Sequence, residues 1–422
     1  MMRRASGTNA GRPADLPTLP RTWRGDLNRP APLRPQLPGD YCMKISHLAP
    51  MALYATIAAA PAAAQQATSA IETAVQLADW QLTHMDDPAI FSRATWETRN
   101  TRGWEQAAFW VGMTKLADAG APPRIAEAIM AMGRANEWTP GERPYHADDH
   151  AITQAYLWAA ENGAGAGARQ ATRAAFDRVI DQPAITTLAF HAPPRGQGDV
   201  ECLRRWCWSD ALFMAPAAFF ELADQTGDPK YHDFALREFW GTTDFLYDPA
   251  EHLYYRDSRF FERRDEQQRK VFWSRGNGWV FAAIPHILPY LPEGSADRQR
   301  METLFTGMAA KLKDIQKPDG YWAPSLLAPE NSPPETSGTG FFTYGLAWGI
   351  NTGLLPREEY EPAVRRGWAA LNKAIQPDGR LGYVQQVSDR PEKVEPQDTQ
   401  FYGVGAFLLA ATQVALLDEQ AR

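Results

Sequence analysis

Residues 316–322 read QKPDGYW and residues 376–382 read QPDGRLG, and each string ends a long stretch in which apolar side chains recur every three or four positions. Pro318 and Pro377 stand 59 residues apart. A Pro-Asp-Gly step stops a helix and turns the chain. The repeat therefore marks a unit of one helical hairpin plus a loop, which buries its apolar face only by stacking on neighbours. The same periodicity runs outward over 70–83, 105–118, 124–135, 149–161, 168–181, 210–224, 230–246, 279–291, 296–316, 340–351, 358–375 and 400–417. Period-2 strand patterns are scarce. These twelve stretches make six hairpins, which either stack as an open solenoid or close into an (α/α)6 barrel around one core. Gly, Asp and Trp gather at the helix ends, where the loop rims of a closed barrel form a cleft. The expected fold is all-α, a single (α/α)6 barrel over residues 65–422.

The N-terminal part divides in two. Residues 1–42 are rich in Arg and Pro without apolar periodicity, as expected of a disordered extension from a start codon assigned too early. From Met43 a short basic start, an apolar stretch through Leu48, Met51, Leu53 and Ile57, and the small residues Ala62–Ala64 follow the layout of a secretory signal peptide. An Ala-rich linker is the competing reading. Export, with the periplasm as destination, is the expectation, and the mature chain is expected to carry no membrane span.

The formal charge of −7 and pI near 5.7 argue against a nucleic-acid binder, and the basic stripe such a protein needs does not appear. An acidic protein of this kind needs a local basic site to hold an acidic substrate. Fifteen Trp are numerous for this length; most belong in a core, yet indole faces also suit sugar rings. Past the leader only Cys202 and Cys207 remain. Their separation permits a disulfide without requiring one, and without His at ligand spacing they fall short of a zinc pattern. No metal or other cofactor is expected.

Four segments concentrate polar, aromatic and Gly residues beside helix starts. In YHADDHAITQAY (145–156), one Asp caps a helix, and the second of Asp148 and Asp149, flanked by His146 and His150, is surplus and free for a substrate. In CLRRWCWSDALFMAP (202–216), Asp210 follows Trp206 and Trp208; it is either a plain N-cap or a carboxyl whose proton is retained through an aromatic, dehydrated setting. In VFWSRGNGWV (271–280), Gly276 and Gly278 around Asn277 permit close backbone approach, Arg275 offers a planar fork for a carboxylate, and Trp273 and Trp279 bracket it. In ETSGTGFFTYGLAWGINTG (335–353), small residues point first to close helix packing.

The strings WSRGNGW, ETSGTGFFTY, DDHAITQ and WSDALFM, in that set and in chain order over about residues 70–417, resemble the unsaturated rhamnogalacturonyl hydrolases (glycoside hydrolase family 105) and their unsaturated glucuronyl hydrolase relatives of family 88. The resemblance implies an (α/α)6 barrel that acts on lyase-generated oligosaccharides ending in a uronic acid with a C4=C5 double bond. It implies that an Asp protonates C4, that water adds at C5, and that the hemiketal opens to release the remaining sugar. Carried over by motif, Asp210 is the proton donor and then the group that activates water, and Asp148, ahead of Asp149, is the second catalytic carboxylate. Arg275 holds the uronate, with Trp273 and Trp279 stacking beside it; Asn277, Trp208, Asp149 and His150 complete the substrate-binding set. Where many relatives carry a His after Leu-aromatic-Tyr, this chain has Arg256, a cation without a proton to shuttle; His252 upstream is the alternative. Another barrel glycosidase, a polysaccharide lyase and a non-catalytic glycan-binding protein of the envelope are the rival functions.

Overall fold

The computed structural model describes residues 69–95, 97–182, 186–191 and 200–421. The expected extension and signal peptide, 1–42 and 43–64, lie outside the described residues. The helices are α1 (Ala70–Thr83), α2 (Trp104–Asp118), α3 (Arg124–Ala135), α4 (Ala147–His150), α5 (Thr153–Ala159), α6 (Gly167–Ile180), α7 (Ala211–Met214), α8 (Pro216–Thr226), α9 (Pro229–Leu246), α10 (Ser274–Ile287), α11 (Ala296–Asp314), α12 (Thr336–Asn351), α13 (Arg357–Lys373) and α14 (Phe401–Glu419). Helices α2, α5, α8, α10, α12 and α14 each touch the next, and α14 returns to α2, so the inner ring is closed. Outside it, α1, α3, α6, α9, α11 and α13 lie against the inner pairs. The expected (α/α)6 barrel is the observed one. An open solenoid would leave the first and last inner helices unpaired.

Composition explains which helices go inside. An inner helix is covered on all sides and must be apolar all round, whereas an outer one keeps a solvent face. Helix α14, FYGVGAFLLAATQVALLDE, buries fourteen of its residues, while α13, REEYEPAVRRGWAALNK, buries six. By length and composition α14 also passes as a membrane span, but 78% of that stretch is inside the barrel.

The two Pro-Asp-Gly turns are superposable in their bonding. Gly320 N donates to Lys317 O and Lys317 N to Tyr321 O; Gly379 N donates to Gln376 O and Gln376 N to Arg380 O. Both glycines sit at φ +91°, a left-handed value that favours Gly. The sequence repeat is thus a structural one.

Helix starts differ most from the periodic reading. The SRGNG string is the first turn of α10 and not a loop, and α12 begins at Thr336. The small residues there serve contact. A Cβ on Gly278 would lie 3.1 Å from the Phe341 side chain, and one on Gly338 2.1 Å from Ser274 Oγ. Strand structure among the described residues is a short antiparallel pair, β1 (Tyr247–Asp248) with β2 (Leu253–Tyr254).

Ring closure rests on backbone contact between α2 and α14, where a Cβ on Gly405 would fall 2.2 Å from Ala108 O and one on Gly112 2.7 Å from Gly405 O. Gly405→Ala should therefore lower unfolding free energy by about 1–3 kcal/mol through overpacking. Gly167→Ala, in open space at the start of α6, should leave stability unchanged or raise it slightly. Chemical denaturation of the two variants beside the parent checks the contrast.

Candidate active site

The inner helices run in the same direction, so their N-termini meet at one end of the barrel. Glu105 of α2, Asp148 of α4, Asp210 before α7, Arg275 of α10, Glu335 before α12 and Tyr402 of α14 all lie there, each close enough to interact electrostatically with at least one of the others. The positive ends of the helix dipoles add to the attraction for an anion at this end. Elsewhere among α2, α5, α8 and α10 a small cavity is lined by Thr114, Gln154, Glu221 and His286.

Asp210 stands at the N-cap position of α7 but does not cap it. Its backbone is helical and its side chain makes no capping bond. Instead Ser209 Oγ donates to Oδ2 at 3.0 Å, and Arg256 Nε lies 3.6 Å from the same oxygen. The Ser209 N–H donates to Arg256 O at 2.8 Å, which fixes the two segments side by side. Asp210 is 9% exposed, and burial raises its pKa above the usual carboxyl range against the opposing effects of Arg256, Ser209 and Arg275. Upstream, Cys202 and Cys207 form a disulfide with Cα atoms 5.6 Å apart, and Trp206 takes a left-handed conformation, φ +54°. That turn seats the buried Trp206 against Phe219 and Phe234 and delivers Trp208 and Asp210 to the barrel end.

Asp148 shares this end. Its side chain keeps 17% exposure; His146 Nδ1 is 3.5 Å and Arg143 Nη2 4.0 Å from Oδ2. Burial pushes its pKa up to about 7; Arg143 opposes this, and the charges of Asp210 and Asp149 reinforce it. His146 also caps α4, accepting from Asp148 N, and its ring lies 5.0 Å from Trp208. The structure thus brings Asp148, Asp210, Arg256 and Trp208 together.

Other expected site residues have structural occupations. Asp149 accepts Arg143 Nε at 2.8 Å, Nη2 at 2.5 Å and the Arg143 backbone N–H, so its carboxylate is filled and it is Asp148 that is surplus. His150 is buried, bonded through Nε2 to Pro144 O, and held neutral by burial with its pKa lowered to about 4. Asn277 exchanges two bonds with the Tyr254 backbone and so clamps the β-hairpin to α10. Trp279 has no exposed surface; its ring meets Phe341, Phe213, Tyr402 and Trp104 in an aromatic plug inside the barrel, out of reach of a sugar. Exposed His252 binds Tyr247 Oη through Nδ1 beside the outer helix α11, so of the two it is Arg256 that reaches Asp210.

Arg275 lies beneath the site. Its guanidinium is sandwiched between Trp273, at 4.4 Å, and Tyr402, at 4.6 Å, and donates to Gln385 O and Gln386 O. It is 1% exposed, and its Nε has no bonding partner among the described residues. Trp273 Nε1 donates to Gln385 Oε1, so this pair straps residues 385–386 over the helix ends. Glu335 caps α12 through Ser337 N and Gly338 N.

Sequence reasoning missed Arg143, Ser209 and Glu105. Glu105 is a buried acid held by Thr98 and Thr95, with its pKa raised by burial. The signal available was slight: a Ser directly before Asp210, and a charged residue inside an apolar helix. Among the described residues no His, Cys, Asp and Glu cluster is suited to a metal ion.

The sequence profile of Glycosyl Hydrolase Family 88 matches residues 73–417. An unsaturated 3S-rhamnoglycuronyl hydrolase of Alteromonas sp. (strain LOR) is 41% identical over 326 residues, covering 76% of this chain and 79% of that protein. The solved structure of a family 88 glycosyl hydrolase from Bacteroides vulgatus has a TM-score of 0.70 at 27% identity and covers 82% of this chain and 99% of its own. A structure of a protein called a polysaccharide lyase, also 27% identical, has a TM-score of 0.69 over 83% of this chain and 97% of its own.

The raised pKa of Asp148 carries a stability consequence. Unfolded, this carboxyl gives up its proton near 3.8; folded, it keeps it to about 7. Between those values the folded state binds more protons, so this group's contribution to stability falls as pH rises through the window. Asp148→Asn should therefore be more stable than the parent above pH 7, with the difference vanishing near pH 4. Urea midpoints at the two pH values measure it.

Proposed function

The chain belongs to glycosyl hydrolase family 88, and from that premise we propose that it removes a 4,5-unsaturated uronic acid from the non-reducing end of lyase-generated oligosaccharides, with rhamnose as the neighbouring sugar. The observation that carries this reading is the pairing of a buried carboxyl, Asp210, with a half-buried one, Asp148, both with raised pKa, beside Arg256. The rhamnose preference rests on the name of the Alteromonas relative.

The chemistry follows from the arrangement. An arriving uronate adds a negative charge next to Asp210, raising its proton affinity further. Arg256, already bonded to Asp257 through Nη1, opposes this only in part. Asp210 then gives its proton to C4, and the positive charge that develops at C5 and the ring oxygen is stabilised by the Asp210 carboxylate so formed. Water adds at C5 while Asp210 Oδ2, aligned by Ser209, takes the water's proton back. The hemiketal opens to a ketone at C5, and the hemiacetal at C1 releases the remaining sugar. One water is consumed and the acid is restored. Asp148 holds the neighbouring proton and bonds the sugar hydroxyls. Because the first proton goes to carbon, the distance between the two carboxyls does not carry the stereochemical meaning it has in ordinary glycosidases.

We place this chemistry after export. The Cys202–Cys207 disulfide supports an oxidising compartment, in keeping with the Met43–Ala64 pattern.

Incubation with unsaturated disaccharides should lower the ultraviolet absorbance of the conjugated double bond. A rise on intact polymer would instead mark a lyase, the reading the lyase-named neighbour favours; binding without any change would mark a glycan-binding protein. Asp210→Asn should reduce turnover by about three orders of magnitude or more, on the scale of losing a general acid and base, with substrate binding retained. Near-normal turnover in that variant overturns the assignment.

A further inference from the structure

A second cleft, of about 770 Å³, opens on the rim between residues 260–271, 325–331 and 390–391. Its size lies within the range of small-ligand sites, roughly 300–1000 Å³. The cleft shares walls with the catalytic end. Ser325 bridges to the backbone of Trp273, Arg390 O accepts from Gln385 Nε2, and Phe260 follows directly on the Arg256–Asp257–Arg259 ion cluster. None of its lining residues takes part in the proposed reaction.

Its charges are unevenly matched. Arg269 is held by Asp265 at 2.6 Å and by Glu330 at 2.8 Å, so that trio is closed on itself. Arg390 is drawn toward Asp389 and Glu392 at 3.8 and 3.6 Å. Arg263 and Arg264, by contrast, have no carboxylate within 4 Å among the described residues, although Glu266 lines the same cleft. Arg263 Cζ lies over the buried Phe260 ring, 4.5 Å from its centroid, and Arg264 is tethered through Nη1 to Phe261 O and Arg263 O. Stacking and tethering hold two guanidinium groups in place on residues that are both exposed to solvent. That is preparation for an oxyanion.

We propose that Arg263 and Arg264 form an accessory subsite for an anionic substituent, a sulfate ester or a uronate carboxylate, on a sugar beyond the one bonded to the unsaturated uronate. This rests on the proposed hydrolase reading and adds to it a preference for charged oligosaccharides longer than a disaccharide. The subsite acts through binding and leaves the chemical step alone.

The test compares the parent with the double variant Arg263→Gln/Arg264→Gln on three unsaturated substrates: a disaccharide, a sulfated tetrasaccharide and the same tetrasaccharide desulfated. The parent's turnover of the disaccharide tests the underlying reaction separately; its absence would sink the hydrolase reading itself. The variant should match the parent on the disaccharide and show a KM raised by about ten-fold or more on the tetrasaccharide, the scale of losing one or two charge-assisted bonds, with kcat unchanged. Loss confined to the sulfated form identifies sulfate as the ligand, and loss on both forms identifies the carboxylate. Equal effects on disaccharide and tetrasaccharides, or none on any, overturn the proposal.

Discussion

A ring of helices closes only if its last member reaches its first, and here that contact is made backbone to backbone. Gly405 of α14 lies against Ala108 of α2, and Gly112 against Gly405, so at this crossing backbone meets backbone. Gly340 of α12 likewise packs closely on Ala406 of α14, here against its Cβ as well as its backbone. With α14 seated, the inner helices have neighbours on every side and their N-termini share one rim. The aromatic plug around Trp279 fills the centre beneath that rim. Burial of Asp210 and Asp148, and with it the retention of their protons, follows from this closure.

The fold was legible because period and punctuation agree. Long apolar stretches at helical spacing, broken by Pro-Asp-Gly, specify hairpins, and the 59-residue spacing specifies how they repeat. What the pattern misreads is the first turn of α10 and of α12. Gly276, Gly278 and Gly338 look like loop residues in isolation, because Gly costs a helix conformational entropy. Tertiary contact overrides that cost here: the space a Cβ would fill is taken by Ser209, Phe341 and Ser274.

The site was legible in part. Asp210, Asp148, Trp208 and Arg256 come together as their motifs suggest, but the same strings also hold residues whose work is architectural. Asn277 and Trp279 follow Arg275 in WSRGNGW, and one clamps a hairpin while the other fills the core. A string shows which residues travel together and says nothing of which way each faces. Asp148 and Asp149 illustrate the limit. They are adjacent and chemically identical, and only the fold of residues 141–149 decides that Arg143 takes the second and leaves the first toward Asp210. Such pairings arise from chain geometry that neighbouring identity does not encode.

Closure of the ring also sets a limit on how the molecule can vary. An open array of hairpins lengthens by adding a unit, and its binding face lengthens with it. In a closed ring of six pairs an added unit would change the curvature at every interface, so the diameter of the barrel mouth is a fixed dimension. New specificity then has to be written in the loops that join inner to outer helices at the N-terminal rim, above an unchanging floor of helix ends. Residues 257–273 and 385–392 are segments of that kind, joined to each other through Arg259 and Asp389. A designer wishing to retarget this scaffold would recast those loops and leave the ring of staves alone.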